Sequence, residues 1–209
     1  MKICGVTSRE QAYAIAEAGA DAIGLNFWPK SKRYIMPAAA SLWAGEIKAM
    51  TTLVAVLVNP SPALLDDVIA LDVVDVLQLH GDESPSEVAR VMTLGLPVIK
   101  ALQVRDRESL ARLGDYPCET LLLDAYCPGL YGGEGKVFPW ELFHEAKAMH
   151  PQRRFILAGG LTPDNVAQAI EQVQPAAVDV ASGVEAAPGV KDMALVQQFI
   201  AAARAASHS

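Results

Sequence analysis

A (β/α)8 barrel is the fold class this sequence predicts, on three observations. Eight short aliphatic runs recur along 209 residues, and most are apolar throughout instead of alternating. Strands buried on both faces, as in parallel sheets, read this way. Amphipathic helical patterns fill the intervals between the runs, which is the alternation that builds α/β folds. No Pro/Gly/Ser linker or low-complexity tract divides the chain, so residues 1–209 are expected to form one domain. An open, doubly wound sheet is the alternative, but no Gly-x-Gly-x-x-Gly follows the first run.

The predicted strands are residues 2–4, 22–26, 53–58, 75–79, 97–100, 120–124, 154–158 and 177–181. The predicted helices are 8–18, 37–48, 61–70, 84–93, 140–149, 163–173 and 192–205, with a reduced one at 105–113. Gly19 suits a helix stop, Pro37 suits a first helical turn, and Ser84 with Glu87 spells a capping box.

Composition narrows the function classes. Hydrophobic residues make up 52%, enough for a large core, and charged residues 20%, which argues against disorder. The formal charge is −7 and no Lys/Arg stripe forms, so nucleic acid is not an expected partner. The three cysteines form no Cys-x-x-Cys, which points to a reducing compartment. No apolar run nears the ~20 residues of a membrane span, and no signal-like segment opens the chain. A soluble, cytoplasmic protein with no membrane partner is expected.

A barrel gathers its active-site groups at the C-terminal ends of its strands. There the sequence places Cys4, Asn26, His80, Lys100, Asp124, Gly159-Gly160 and Ser182-Gly183. The last two loops follow the seventh and eighth runs, the common barrel phosphate site, where glycine lets backbone approach an anion. Tight turns alone would also use those glycines. Asp124 closes an apolar run and precedes a long glycine-rich segment, 126–137, that reads as a lid. A carboxyl under a lid is desolvated and becomes competent as an acid. Cys4 would face it across the mouth, and a thiol there needs a cation or a local dipole to ionise.

A base and an acid with no metal cluster suggest proton shuffling on a small substrate. Arg33, in the run Lys30, Lys32, Arg33, offers a planar fork for a carboxylate, although a solvated loop charge would look the same. His80 is the one strand-end histidine, either structural or able to pair with a nucleophile. Asp179 lies within the eighth run, where a carboxylate needs a partner. Lys100 could form a Schiff base, which keeps an aldolase-type lyase open, and a non-catalytic sugar-phosphate-binding barrel is the third reading.

Several motifs in order resemble the phosphoribosylanthranilate isomerase family almost end to end. They are Lys2-Ile3-Cys4-Gly5, the segment from Pro29 to Ile35, Gln78-Leu79-His80-Gly81, Asp124, the segment from Gly132 to Trp140, the segment from Leu157 to Val166, and that from Asp179 to Glu185. Pro188 to Asp192 closes the series. The resemblance implies an aldose-ketose isomerase of tryptophan biosynthesis, carrying out an Amadori rearrangement of N-(5-phosphoribosyl)anthranilate. It implies Cys4 as general base and Asp124 as general acid. It implies Arg33 at the anthranilate carboxylate and Gly159, Gly160, Ser182 and Gly183 at the phosphate. With His80 and Asp179 these make up the expected substrate-binding set. No metal or redox cofactor is implied, the partner is a small phosphorylated substrate, and monomer or homodimer are both allowed. Lys32, Glu134 and Pro139 depart from the family's usual residues.

Overall fold

The structure, a computed structural model, describes residues 1–125 and 138–207. The expected lid at 126–137, with Cys127, lies outside the described residues, as does His208.

Eight parallel strands pair in chain order and close on themselves. They are β1 (Lys2–Cys4), β2 (Ala22–Asn26), β3 (Thr52–Leu57), β4 (Val76–Leu79), β5 (Val98–Val104), β6 (Thr120–Ala125), β7 (Arg154–Leu157) and β8 (Ala177–Val180). The seam joins β8 to β1, with Lys2 opposite Asp179 and Ile3 opposite Val180. Around them lie α1 (Arg9–Glu17), α2 (Pro37–Lys48), α3 (Pro62–Ala70), α4 (Pro85–Met92), α5 (Trp140–Met149), α6 (Val166–Val173) and α7 (Met193–Ser207). A 3₁₀ helix, Arg107–Asp115, takes the place of the helix after β5, as the weak pattern there predicts.

Local chemistry accounts for these boundaries. Ser8, Ser61 and Ser84 each accept a backbone N–H three residues on, and Glu87 completes the Ser84 capping box. Pro37, Pro62 and Pro85 occupy first helical turns, where the missing N–H costs nothing. Helix α1 stops at Gly19, whose φ of +92° a side chain would resist.

The strands are apolar on both faces because both faces are covered. Their outward residues, such as Ile3, Leu25, Leu57, Leu79, Leu121, Leu123 and Leu157, pack under the helices in one large cluster. Inward residues form a second, smaller cluster of Ile99, Ala101, Leu122, Ile156 and Ala158, with Val76 and Ala177 against it. This plug packs the middle of the lumen, beneath the polar groups at the strands' C-terminal ends.

Two elements differ from the sequence-based expectation. Strand β5 runs on to Val104, four residues past its expected end at Lys100. After β8, a short 3₁₀ turn (Ser182–Val184) leads into an antiparallel hairpin, β9 (Glu185–Ala187) and β10 (Val190–Lys191). A loop was expected there. The hairpin is too short for a periodic signal, and its turn is made by Gly189 at φ +82°.

Candidate active site

Period-two alternation sets which groups reach the lumen. On β1 it turns Lys2 and Cys4 inward and Ile3 outward. Cys4 lies opposite Gly24 of β2, and the missing side chain there makes room for it. A methyl on Gly24 would sit 2.8 Å from Cys4 Sγ and 3.1 Å from Lys2 Cε. The Lys2 ammonium bonds Asp179 Oδ1 at 2.8 Å across the seam, and both side chains are buried. Asp179 therefore has its partner, and that partner is a lysine two residues from Cys4.

A second charged group closes over this one. Arg33 Nε and Nη2 each reach Glu185 at 2.7 Å, a bidentate pair. Lys191 Nζ donates to the same Glu185 at 2.9 Å and to the Ala181 carbonyl at 2.8 Å. Burial works against the Glu185 carboxylate, yet the Arg33 and Lys191 bonds outweigh it and hold Glu185 below its usual range. Burial likewise brings Lys191 down, with Glu185 resisting. For Lys2 the balance is reversed: burial would lower it, but Asp179 and Cys4 hold it above the usual lysine range.

Cys4 is 8% exposed. Burial pushes its thiol up; the Lys2 ammonium pulls it down, Asp179 adds to the rise, and Lys191 pulls it down again, with the net upward. The two ammonium groups supply the cations that the residue pattern alone did not assure.

Asp124, 5% exposed, lies near the C-terminal end of β6. Its Oδ1 accepts the Ala125 N–H at 2.9 Å, and its Oδ2 lies 3.4 Å from His80 Nε2. Gln78 Nε2 meets His80 Nδ1 at 2.8 Å. With Gln78 as donor, His80 carries its proton on Nε2, toward Asp124. His80 thus lies between Gln78 and Asp124, and among the described residues no cysteine thiol pairs with it, which disfavours the Cys-His nucleophile alternative.

The two glycine loops meet. Gly159 and Gly160 hold φ of +88° and +66°, a region that favours glycine. A methyl on Gly183 would lie 1.9 Å from the Leu161 carbonyl oxygen, so the loops after β7 and β8 touch backbone to backbone. Asn165 braces the first loop through the Gly160 carbonyl and the Thr162 N–H. Beside them opens a cleft of about 460 Å³ whose lining includes Lys32, Arg33, Gly160, Ser182 and Gly183. Glu185, paired with Arg33, lines it too, and glycine backbone with Lys32 beside that pair in a concave site suits an anion.

The profile of the N-(5′-phosphoribosyl)anthranilate isomerase family matches residues 1–202. The chain belongs to that family. A relative of this name from Magnetococcus marinus is 45% identical over 206 residues, covering 99% of this chain and 95% of its own. The crystal structure of phosphoribosyl anthranilate isomerase from Thermotoga maritima superposes with a TM-score of 0.86 at 40% identity, covering 98% of each chain. An isomerase structure in complex with reduced 1-(o-carboxyphenylamino)-1-deoxyribulose 5-phosphate gives 0.84 at 37%, covering 98% and 97%.

Within this family member, Lys100 is not a lumen group. It lies between inward Ile99 and Ala101 and so points outward, fully buried. Its ammonium bonds Glu83 and the Gly81 carbonyl, each at 2.7 Å, and lies 5.8 Å over the Tyr116 ring. The expectation of a mouth lysine rested on ending β5 too early. Glu83 also accepts the Asn59 and Gly81 N–H groups, so the pair anchors two loops from outside the barrel.

Lys2, Glu185, Lys191 and Glu83 were not singled out from sequence. Lys2 was within reach of a period-two reading, since it shares a strand face with Cys4. The other three pair only through tertiary contacts.

Proposed function

We propose that this chain is a phosphoribosylanthranilate isomerase, converting N-(5′-phosphoribosyl)anthranilate into 1-(2-carboxyphenylamino)-1-deoxyribulose 5-phosphate in tryptophan biosynthesis. The observation that carries the reading is the placement of two proton-transfer groups, Cys4 and Asp124, at the mouth of one lumen beside the glycine cleft. Asp124 gives a proton to the furanose ring oxygen as the C1′–O bond breaks, and the anthranilate nitrogen forms the Schiff base. Cys4 then takes the C2′ proton. The C–H electron pair becomes the C1′–C2′ double bond, and the C–N π electrons return to nitrogen, giving an enolamine. Loss of the enol proton and protonation of C1′ yield the ketone. C2′ is oxidised and C1′ reduced within one molecule, an internal aldose-ketose exchange in which the electrons balance.

The cleft beside Gly159, Gly160, Ser182 and Gly183 receives the phosphate. Glu185 fixes Arg33 by its Nε–Nη2 edge, and the substrate carboxylate is received beside this held guanidinium. His80 flanks Asp124 and faces the sugar. Either a monomer or a homodimer suits the reading. Among the described residues no helix is long and apolar enough to cross a membrane, and we place the enzyme in the cytoplasm.

The test is turnover of freshly prepared substrate, followed by loss of anthranilate fluorescence. Cys4→Ser and Asp124→Asn are each expected to lower kcat at least ~100-fold, the lower range for an acid or base group. Near-normal kcat in both would refute the roles, and no turnover by the native protein would refute the reaction.

A further inference from the structure

Five charged side chains cluster at the barrel seam that carries Cys4. On its own strand is Lys2; on β8 is Asp179; on the hairpin are Glu185 and Lys191; and the Arg33 stem packs on Gly5, where a methyl would lie 2.3 Å from Arg33 Cδ. On its other side β2 sets uncharged Ala22, Ile23 and Gly24 opposite β1, while Asp124 and His80 stand on β6 and at the end of β4. The seam group therefore holds three cations and two carboxylates, joined in pairs by bonds of 2.7–2.9 Å. Lys2 and Cys4 meet over Gly24, where a methyl would lie 2.8 Å from Cys4 Sγ and 3.1 Å from Lys2 Cε. Taking any of these charges out of water without a match is costly.

We propose that Lys2, held by Asp179, is a positioning residue for the reaction: its ammonium is the cation that lets the buried Cys4 ionise. The thiol proton leaves to solvent, the thiolate forms beside Lys2, and the C2′ proton later restores the thiol. Asp179 has the opposite sign of effect. It keeps Lys2 charged and in place, while its own carboxylate opposes the thiolate. The proposal rests on the reading of Cys4 as the base.

The two signs make the test. Alkylation of Cys4 by iodoacetamide is followed against pH, mapped by peptide mass, on the substrate-free protein. Lys2→Met is expected to move the midpoint up by about one unit or more, a tenfold loss of thiolate at fixed pH, and Lys2→Arg to restore it. Asp179→Asn is expected to move it down. The double variant returns it toward the native value and also removes the unpaired carboxylate that could unfold Lys2→Met. In turnover, Lys2→Met is expected to lose about tenfold in kcat at neutral pH with KM little changed, and to regain it as pH rises. A merely structural role would shift both single variants the same way or not at all, and either outcome overturns the proposal. Since alkylation needs no substrate, opposed shifts in a protein that does not turn over would sink the isomerase reading alone.

Discussion

Gly183→Ala tests the phosphate cleft most directly. The added methyl would lie 1.9 Å from the Leu161 carbonyl oxygen and 3.0 Å from its carbon. Carbon and oxygen need about 3 Å or more, so the two loops must part by roughly 1 Å or the strand end must rotate. Both neighbours are backbone, which cannot rotate away as a side chain can. Overpacking of this kind costs about 1–3 kcal/mol, and the cleft carries the strain because Gly160, Leu161 and Gly183 all line it. A tenfold change corresponds to about 1.4 kcal/mol, so KM for the phosphorylated substrate should rise about 5–150-fold, with a parallel rise in the inhibition constant of inorganic phosphate. The kcat at saturation should fall less, since Cys4 and Asp124 stand on β1 and β6. Steady-state kinetics with phosphate as competitor, alongside thermal melting, reads both effects. An unchanged KM and phosphate inhibition constant in a folded variant would show that the anion sits elsewhere. Gly45→Ala is the matched control: it lies within α2 with nothing near its missing side chain, so it should stabilise by about 0.5–1 kcal/mol and leave KM alone.

Two further predictions follow from the buried charges. Lys100→Met leaves the Glu83 carboxylate buried without its ammonium, and removing one partner of such a pair costs about 3–5 kcal/mol. Thermal melting should show that loss, while kcat per folded molecule stays near native; loss of turnover in the folded variant would restore a chemical role for Lys100. Glu185 is held below its usual range in the fold by Arg33 and Lys191, against its burial. A carboxylate lowered on folding contributes stability above its unfolded value, and that contribution is lost as pH falls through the folded one. Glu185→Gln should therefore flatten the acid side of a stability-against-pH curve, and an unchanged acid slope would show the ion pair to be neutral in stability.

Most of the barrel could be read because its signals are local. Runs such as Leu121-Leu122-Leu123 are apolar without alternation since one parity meets the helices and the other fills the lumen. Serine and proline positions fixed the helix starts for the same local reason. The strand β5 boundary was misjudged because Ala101-Leu102-Gln103-Val104 mixes polar and apolar residues at a strand mouth, where a lumen glutamine reads like a loop. That slip carried Lys100 to the wrong face. The catalytic pair was legible as polar residues at the ends of apolar runs. Its electrostatic surroundings were not: Glu185 serves both Arg33 and Lys191, and sequence spacing does not encode who shares a carboxylate.

The barrel seam has a consequence for how the molecule comes into being. Cys4 and Lys2 emerge long before the rest of their charged company, for Asp179 stands 177 positions after Lys2. Thr7 and Gln11 similarly wait for Gly189 and Lys191 to tie the hairpin down. A chain cut short after seven strands could pack much of its two-layered core and still present a bare thiol with no ion pair behind it. Acquisition of chemistry is thus expected to coincide with ring closure, so that incomplete products are inert and turnover itself reports that the last eighth has docked.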